Sequence, residues 1–204
     1  MKGKFYAVVR TVLYWPVRLI FRVRIVGSEN EPKDSAYLVC ANHQSVLDPI
    51  FICAAVKRYQ PHFMAKAELF RVPVLGKLVT WLGAYPVSRG KGDVGAVKRT
   101  VDLLKSGRTV GMFPQGTRCQ FKQPRECKIK FGAGLIATQT EVPVLPIHIK
   151  IKEYKWRFFR RVTLVVGKPI TFAELGYDPT AAGESARIAS IIFEEICRLG
   201  DSVK

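Results

Sequence analysis

A histidine and an aspartate, His43 and Asp48, follow a short apolar run that ends at Ala41. A carboxylate beside a histidine orients the imidazole ring and stabilises its protonated form, so the pair can act as a general base. Asp48 also stands directly before Pro49, which is the pattern of a helix N-cap followed by proline in the first turn. One carboxylate can serve both purposes. The pattern therefore predicts a general-base pair where a strand gives way to a helix.

A second motif, Phe-Pro-Gln-Gly-Thr-Arg, begins at Phe113 after another apolar run. An arginine on a glycine turn presents a fork of donors beside exposed backbone N–H groups, and both suit a phosphate group. Taken with His43 and Asp48, this motif indicates a transferase that activates a hydroxyl group on a phosphorylated substrate.

Four segments, in order along the chain, resemble the motifs of the phospholipid/glycerol acyltransferase family, and most closely those of the 1-acylglycerol-3-phosphate acyltransferases. They are Asn-His-x-x-x-x-Asp-Pro at residues 42–49, Lys-Ala-Glu-Leu from Lys66 with Pro73 and Gly76, Phe-Pro-Gln-Gly-Thr-Arg at residues 113–118, and Val-Pro-Val-Leu-Pro at residues 142–146. The resemblance spans roughly residues 27 to 170. The chain departs from the family at Gln115, where relatives usually carry glutamate.

The resemblance implies a role for each motif. His43 would remove the proton from the acceptor hydroxyl while that oxygen attacks a thioester carbonyl, and Asp48 would fix the imidazole ring and its tautomer. Because the motif supplies no nucleophile, direct transfer is favoured over an acyl-enzyme. The residues implied to bind the phosphorylated acceptor are Lys66, Arg89, Gln115, Gly116, Thr117 and Arg118. Gln115 would offer a neutral oxygen there and could not act as a base.

The predicted reaction moves a fatty acyl group from a CoA or acyl-carrier-protein thioester to 1-acylglycerol 3-phosphate, giving phosphatidic acid in phospholipid biosynthesis. Glycerol 3-phosphate or another lysophospholipid is an alternative acceptor. A hydrolase that uses His43 and Asp48 to activate water is a further alternative. No cofactor is expected besides the thioester co-substrate, and neither His62 nor His148 has the spacing of a metal ligand.

The charge of the chain limits its partners without choosing one. Its 204 residues suit one substantial domain, and 33 lysines and arginines against 16 acidic residues give a formal net charge of +17. Such a charge attracts nucleic acid, anionic lipid headgroups or anionic substrates. The sequence has no signature of a nucleic-acid-binding domain. A basic nucleic-acid-binding module without catalysis is therefore the weaker interpretation, and no nucleic-acid partner is expected.

Residues 1–26 are predicted to form an amphipathic interfacial helix. Arg10, Arg18 and Arg22 share a narrow polar face, and Trp15 lies opposite them. No uninterrupted apolar run here approaches the ~20 residues that a membrane-spanning helix needs. The pattern favours a peripheral, monotopic protein on an anionic surface at the cytoplasmic face of the membrane. The alternative is a helix docked on the protein's own core with its arginines in water. A basic-aromatic segment at residues 155–161 suits a second lipid contact.

The elements that must position these residues follow from apolar runs that alternate with helical stretches. Residues 27–204 are predicted to form one α/β domain with a mixed, largely parallel sheet flanked by helices. The predicted strands are residues 37–41, 62–65, 84–88, 109–113, 144–151 and 162–166, and the predicted helices are residues 49–57, 74–82, 93–106, 130–140 and 181–200. His43 then lies between a strand and a helix, where side chains project from the edge of such a sheet.

The five cysteines form no Cys-x-x-Cys pair, and the sequence shows no secretory signal with a cleavage site. A reducing cytoplasmic setting is therefore expected. Cys40 and Cys53 lie in apolar runs and are expected to be buried thiols. Cys119 and Cys127 flank a basic stretch beside the Gly-Thr-Arg turn, where a redox role is open.

Overall fold

The apolar runs of the chain become the strands of one sheet. Within the residues that the computed structural model describes, which are 4–87, 93–155 and 157–203, seven strands lie side by side. They are β1 (Arg24–Val26), β2 (Leu38–Ala41), β3 (His62–Lys66), β4 (Tyr85–Val87), β5 (Val110–Met112), β6 (Val144–Ile151) and β7 (Val162–Val166). The α-helices in these residues are α1 (Lys4–Ile20), α2 (Asp48–Ala55), α3 (Leu75–Trp81), α4 (Val94–Lys105), α5 (Gly132–Thr140) and α6 (Glu184–Asp201).

The strand order across the sheet is β1-β7-β6-β2-β5-β3-β4. Every neighbouring pair is parallel except β6 and β7, which are antiparallel. The mixed, largely parallel sheet predicted from the sequence is thereby confirmed. Four parallel strands, β2, β5, β3 and β4, are successive neighbours, so their carboxyl ends open onto one edge of the sheet. In open α/β sheets, ligands bind outside this edge.

Helices cover both faces of β2. Val39 and Ala41 pack into a cluster with Phe51 and Ile52 of α2, whereas Leu38 and Cys40 pack into a second cluster with α5 and α6. All four residues of the strand are fully buried. A strand covered on both faces has no polar side, which is why this segment is a continuous apolar run without alternation.

The sequence analysis predicts one helix over residues 1–26, but the observed helix ends earlier. α1 ends at Ile20, and Arg24–Val26 form β1, the edge strand that pairs in parallel with β7. The chain leaves the helix at Arg22, whose φ of 43° lies in the left-handed region. Three residues are too few to show a strand period, so the helical pattern of the preceding turns masks the strand. Sheet pairing with Thr163 and its neighbours decides the local structure.

α1 presents three faces. Tyr6 is buried against the protein, and Arg10 Nε donates a hydrogen bond to the Cys53 carbonyl oxygen of α2 at 2.9 Å. Arg18 is exposed on the second face. The third is an exposed apolar stripe at helical spacing, made of Val8 (61% exposed), Val12 (65%), Trp15 (58%) and Leu19 (71%). Among the described helices, none has the length and apolar character needed to cross a bilayer.

Candidate active site

The His43 and Asp48 side chains meet, as the spacing predicts. His43 Nδ1 lies 2.8 Å from Asp48 Oδ2, and Asp48 is fully buried while His43 is 9% exposed. The same carboxylate oxygen accepts hydrogen bonds from the backbone N–H groups of Gln44 (2.5 Å) and Ser45 (2.8 Å). These two bonds hold the carboxylate in place, so the imidazole is oriented by a fixed acceptor.

The N-cap expected at Asp48 lies one residue earlier. Leu47 is the cap position of α2, and Asp48 is the first helical residue, with Pro49 in the first turn. The carboxylate of Asp48 is turned back to the loop that leaves β2 and accepts from the N–H groups of that loop. The helix start therefore serves to point the carboxylate at His43.

An aromatic ring fixes the plane of the imidazole. The rings of His43 and Phe113 are stacked with centroids 4.0 Å apart and planes inclined by 14°. Phe63 continues the stack on Phe113 at 6.0 Å. Stacking on one ring face and a hydrogen bond at Nδ1 leave the Nε2 edge of His43 for a reactant. Phe113 stands at the start of the Phe-Pro-Gln-Gly-Thr-Arg motif, but the sequence pattern alone does not indicate this contact.

The loop after β5 also holds the backbone of His43. The His43 N–H donates to Gln115 Oε1 at 2.6 Å, and the His43 carbonyl oxygen accepts from the Cys119 N–H at 2.7 Å. Gln115 is only 2% exposed. The sequence interpretation places Gln115 on the acceptor, whereas here its side-chain oxygen already accepts a hydrogen bond from the backbone of the histidine. These hydrogen bonds thus connect the loop after β5 to His43, the predicted general base.

Asn42 anchors the same loop from the other side. Its Nδ2 donates to the Ile149 carbonyl oxygen at 3.0 Å, and its Oδ1 accepts from the Ile149 N–H at 2.7 Å. This paired contact ties the end of β2 to β6 through a fully buried amide. Sequence reasoning named Asn42 only as part of a motif, because its partner lies far away along the chain.

The described residues that are expected to bind phosphate lie at the surface, on the turn after β5 and at the end of β3. Gly116, Thr117 and Arg118 are exposed on the turn after β5, and Gly116 has a φ of 67°, which favours glycine. Lys66 ends β3, and its Nζ lies 3.2 Å from Glu68 Oε1 at the surface. Arg89 lies outside the described residues.

Sheet topology explains why distant motifs come together. His43 follows β2, the glycine turn follows β5, and Lys66 ends β3, and these three parallel strands are neighbours in that order. β4, the next strand, ends at Val87, the last described residue before position 93. Residues far apart in sequence therefore share one edge of the sheet.

Cys119 and Cys127 are joined in a disulfide, a bond that the reducing setting expected from the sequence would disfavour. The bridge closes the basic loop that follows Arg118, and Cys119 is the residue whose N–H donates to His43. Cys40 and Cys53 are free thiols; Cys40 is buried, as expected, whereas Cys53 is only half-buried. Among the described residues, no group of three or more histidine, cysteine and acidic side chains is arranged to hold a metal ion.

Fold and site together define an α/β protein with a buried histidine–aspartate pair and an exposed basic turn at one sheet edge. A sequence model of the acyltransferase family matches residues 22–150. The 1-acyl-sn-glycerol-3-phosphate acyltransferase of Bacillus subtilis is 31% identical over 160 residues, which is 78% of each chain. The chloroplastic 1-acyl-sn-glycerol-3-phosphate acyltransferase of Brassica napus is 36% identical over 130 residues, which is 62% of this chain and 37% of that protein.

A solved structure shares the fold. The crystal structure of the 1-acyl-sn-glycerophosphate acyltransferase PlsC from Thermotoga maritima matches with a TM-score of 0.68 and 26% sequence identity, over 100% of this chain and 84% of that one. The chain therefore belongs to the acyltransferase family, and it is an O-acyltransferase. The family predicted from the four motifs is confirmed.

Proposed function

We propose that the protein transfers a fatty acyl group from a thioester, acyl-CoA or acyl-carrier protein, to 1-acylglycerol 3-phosphate and so forms phosphatidic acid. The observation that carries this proposal is the His43–Asp48 pair, 2.8 Å apart, beside the exposed Gly-Thr-Arg turn. The relatives named above as 1-acylglycerol-3-phosphate acyltransferases support the choice of acceptor.

In the proposed reaction, Asp48 accepts the hydrogen bond from Nδ1 of His43 and so keeps the lone pair on Nε2. Nε2 takes the proton of the acceptor hydroxyl while the hydroxyl oxygen attacks the thioester carbonyl carbon. The C–O bond forms, the tetrahedral intermediate collapses, and the C–S bond breaks. The departing thiolate takes the proton from the imidazolium ring. This cycle restores the neutral histidine and needs no metal ion or redox partner.

The acceptor phosphate would lie on the exposed turn. The Arg118 guanidinium can bind two phosphate oxygens at once, and Gly116 has the left-handed φ that the turn before it requires. Lys66 would add charge from the end of β3, and the family resemblance implies a further phosphate contact from Arg89. We assign Gln115 to positioning, because its buried side chain holds the His43 N–H.

The exposed stripe of α1 is the proposed membrane contact. Monomeric soluble proteins rarely leave large apolar patches in water. Trp15 and Leu19 lie beside the exposed cation Arg18, and the loop after β6 adds Phe158 (63% exposed) and Phe159 (73% exposed). Apolar side chains flanked by cations suit an anionic bilayer surface. We therefore place the enzyme as a monotopic protein on the cytoplasmic face, where thioester donors are made.

A product assay tests the proposed reaction. The protein is incubated with acyl-CoA or acyl-carrier protein and a panel of phosphorylated glycerols, and thiol release and lipid products are measured. Phosphatidic acid that appears only with 1-acylglycerol 3-phosphate is the expected result. Preferred acylation of glycerol 3-phosphate would replace the acceptor. Release of free fatty acid without any acceptor would identify a hydrolase and contradict the proposal.

A further inference from the structure

A basic cavity lies where α1 meets β1 and β7, at the edge of the sheet opposite β4. Its volume is about 590 Å³. Its lining includes four arginines, Arg18, Arg22, Arg24 and Arg161, and no aspartate or glutamate is among the described residues that line it. Guanidinium groups gathered in one concave site repel one another, so the site attracts an anion.

Backbone contacts fix the elements that carry these cations. Arg24 pairs with Thr163 in the parallel register of β1 and β7, and Arg161 lies two residues before Thr163. Lys57 also lines the cavity, and its backbone N–H donates to Glu31 Oε2 at 2.8 Å. Glu31 itself is buried outside the lining, and its carboxylate also accepts from Tyr37 at 2.7 Å. The cavity is therefore built from the fold and does not depend on one flexible loop.

The cavity adjoins the proposed membrane face. The Phe159 N–H donates to the Ile20 carbonyl oxygen at 2.8 Å, and the Phe158 ring stacks on Phe21 at 6.0 Å. These contacts bring the loop before β7 against the end of α1, next to exposed Leu19. With those apolar side chains in the acyl boundary, the cavity would lie at the level of the headgroups.

We infer that this cavity binds the phosphate group of an anionic phospholipid headgroup, at a site separate from the acceptor site at Arg118. The inference rests on the proposed membrane attachment and deepens it. Arginine suits a phosphate because its guanidinium donates two parallel hydrogen bonds. A lipid is favoured over an acidic protein helix because the feature is concave and is bordered by exposed aromatic rings.

Vesicle binding of the full chain tests the inference with two matched double variants. Arg24→Gln with Arg161→Gln removes two charges from the cavity. Lys98→Gln with Lys105→Gln removes two exposed charges from α4, which packs on β5 and α5, away from β1. Affinity is measured by co-sedimentation with phosphatidylcholine vesicles that contain phosphatidylglycerol. The cavity variant should bind about thirtyfold more weakly than the unmodified protein, and the α4 variant less than threefold. Equal losses in both variants would overturn the inference.

The same proteins are used to test which anion the cavity binds and whether a lipid supplies it. Vesicles with oleate replace those with phosphatidylglycerol at equal surface potential, and stronger binding to the phosphate lipid, lost in the cavity variant, is expected. Inorganic phosphate, glycerol 3-phosphate and acyl-carrier protein are titrated separately by calorimetry. Binding of one of these that disappears in the cavity variant, with vesicle binding unchanged, would replace the lipid as ligand. Because every readout is equilibrium binding, the result does not depend on whether acyl transfer occurs.

Discussion

The sheet edge at His43 and the outer surface of α1 hold functional side chains in opposite ways. At the edge, His43 is fixed by a carboxylate, a stacked ring and two backbone hydrogen bonds, all largely buried. On α1, Trp15 and Leu19 are more than half exposed. Directional contacts fix the position of one side chain, whereas several exposed side chains each add a small part of the affinity for a surface. Single substitutions should therefore act strongly at the edge and in small increments on α1.

Outside the His43–Asp48 pair, the largest expected effect concerns Arg118. Arg118→Ala should raise the KM for the phosphorylated acceptor by about a hundredfold, because charge-assisted hydrogen bonds to phosphate are lost. The KM for the thioester should change far less. Arg118→Lys should recover only part of the loss, since an ammonium group cannot make the paired contact. Steady-state kinetics with each substrate varied in turn gives both values, and an effect confined to the thioester would contradict the assignment.

Substitutions at Gln115 test whether catalysis needs the hydrogen bond from the His43 N–H to the Gln115 side chain. Gln115→Leu leaves the buried His43 N–H without an acceptor, so kcat should fall roughly tenfold to a hundredfold. Gln115→Glu keeps an oxygen at this position and should remain active. Circular dichroism and thermal unfolding control for misfolding. If Gln115→Leu instead raises only the acceptor KM, the side chain binds substrate and does not position the histidine.

The α1 surface should respond in smaller steps. Trp15→Ala with Leu19→Ala should weaken vesicle binding by about tenfold, because apolar area is withdrawn from the bilayer. Val94→Ala with Tyr177→Ala serves as the control, since both side chains are exposed elsewhere. Co-sedimentation measures both variants. Unchanged binding of the α1 variant would show that the stripe does not face lipid.

The smallest effect on catalysis is expected at His148, a buried histidine of β6. Its Nδ1 lies 2.9 Å from the Ile196 carbonyl oxygen, and burial lowers its pKa to about 4 from an ordinary 6.5. The folded state thus binds fewer protons than the unfolded state between these values, so stability is present above pH 6.5 and is lost as pH falls towards 4. The loss amounts to at most about 3 kcal/mol.

His148→Asn checks this pH dependence. The variant should lose less unfolding free energy than the unmodified protein when denaturant titrations at pH 6.5 and pH 4 are compared. Its turnover at neutral pH should be nearly normal. An identical pH dependence in both proteins would show that His148 does not titrate in this range.

The sequence predicts those features that depend on local pattern. β6 and β7 begin and end at the predicted residues, because each is rich in the β-branched side chains that favour strands. The His43–Asp48 contact was predictable as well, because five residues of turn suffice to bring the side chains together. β1 was missed because only its pairing with β7 makes it a strand. The roles of Phe113 and Gln115 at His43 also depend on long-range contacts that no local pattern encodes.

The measurement that tests the central claim most directly compares His43→Ala with Ser45→Ala. Ser45 is fully buried next to the pair, and its Oγ accepts the Leu47 N–H at 3.1 Å, outside the proposed proton path. Both variants are assayed for acyl transfer to 1-acylglycerol 3-phosphate after their folding has been verified. We expect His43→Ala to lose on the order of a hundredfold to ten-thousandfold in turnover and Ser45→Ala to retain most of it. Near-normal turnover in folded His43→Ala, or inactivation by Ser45→Ala alone, would contradict general-base transfer by the His43–Asp48 pair.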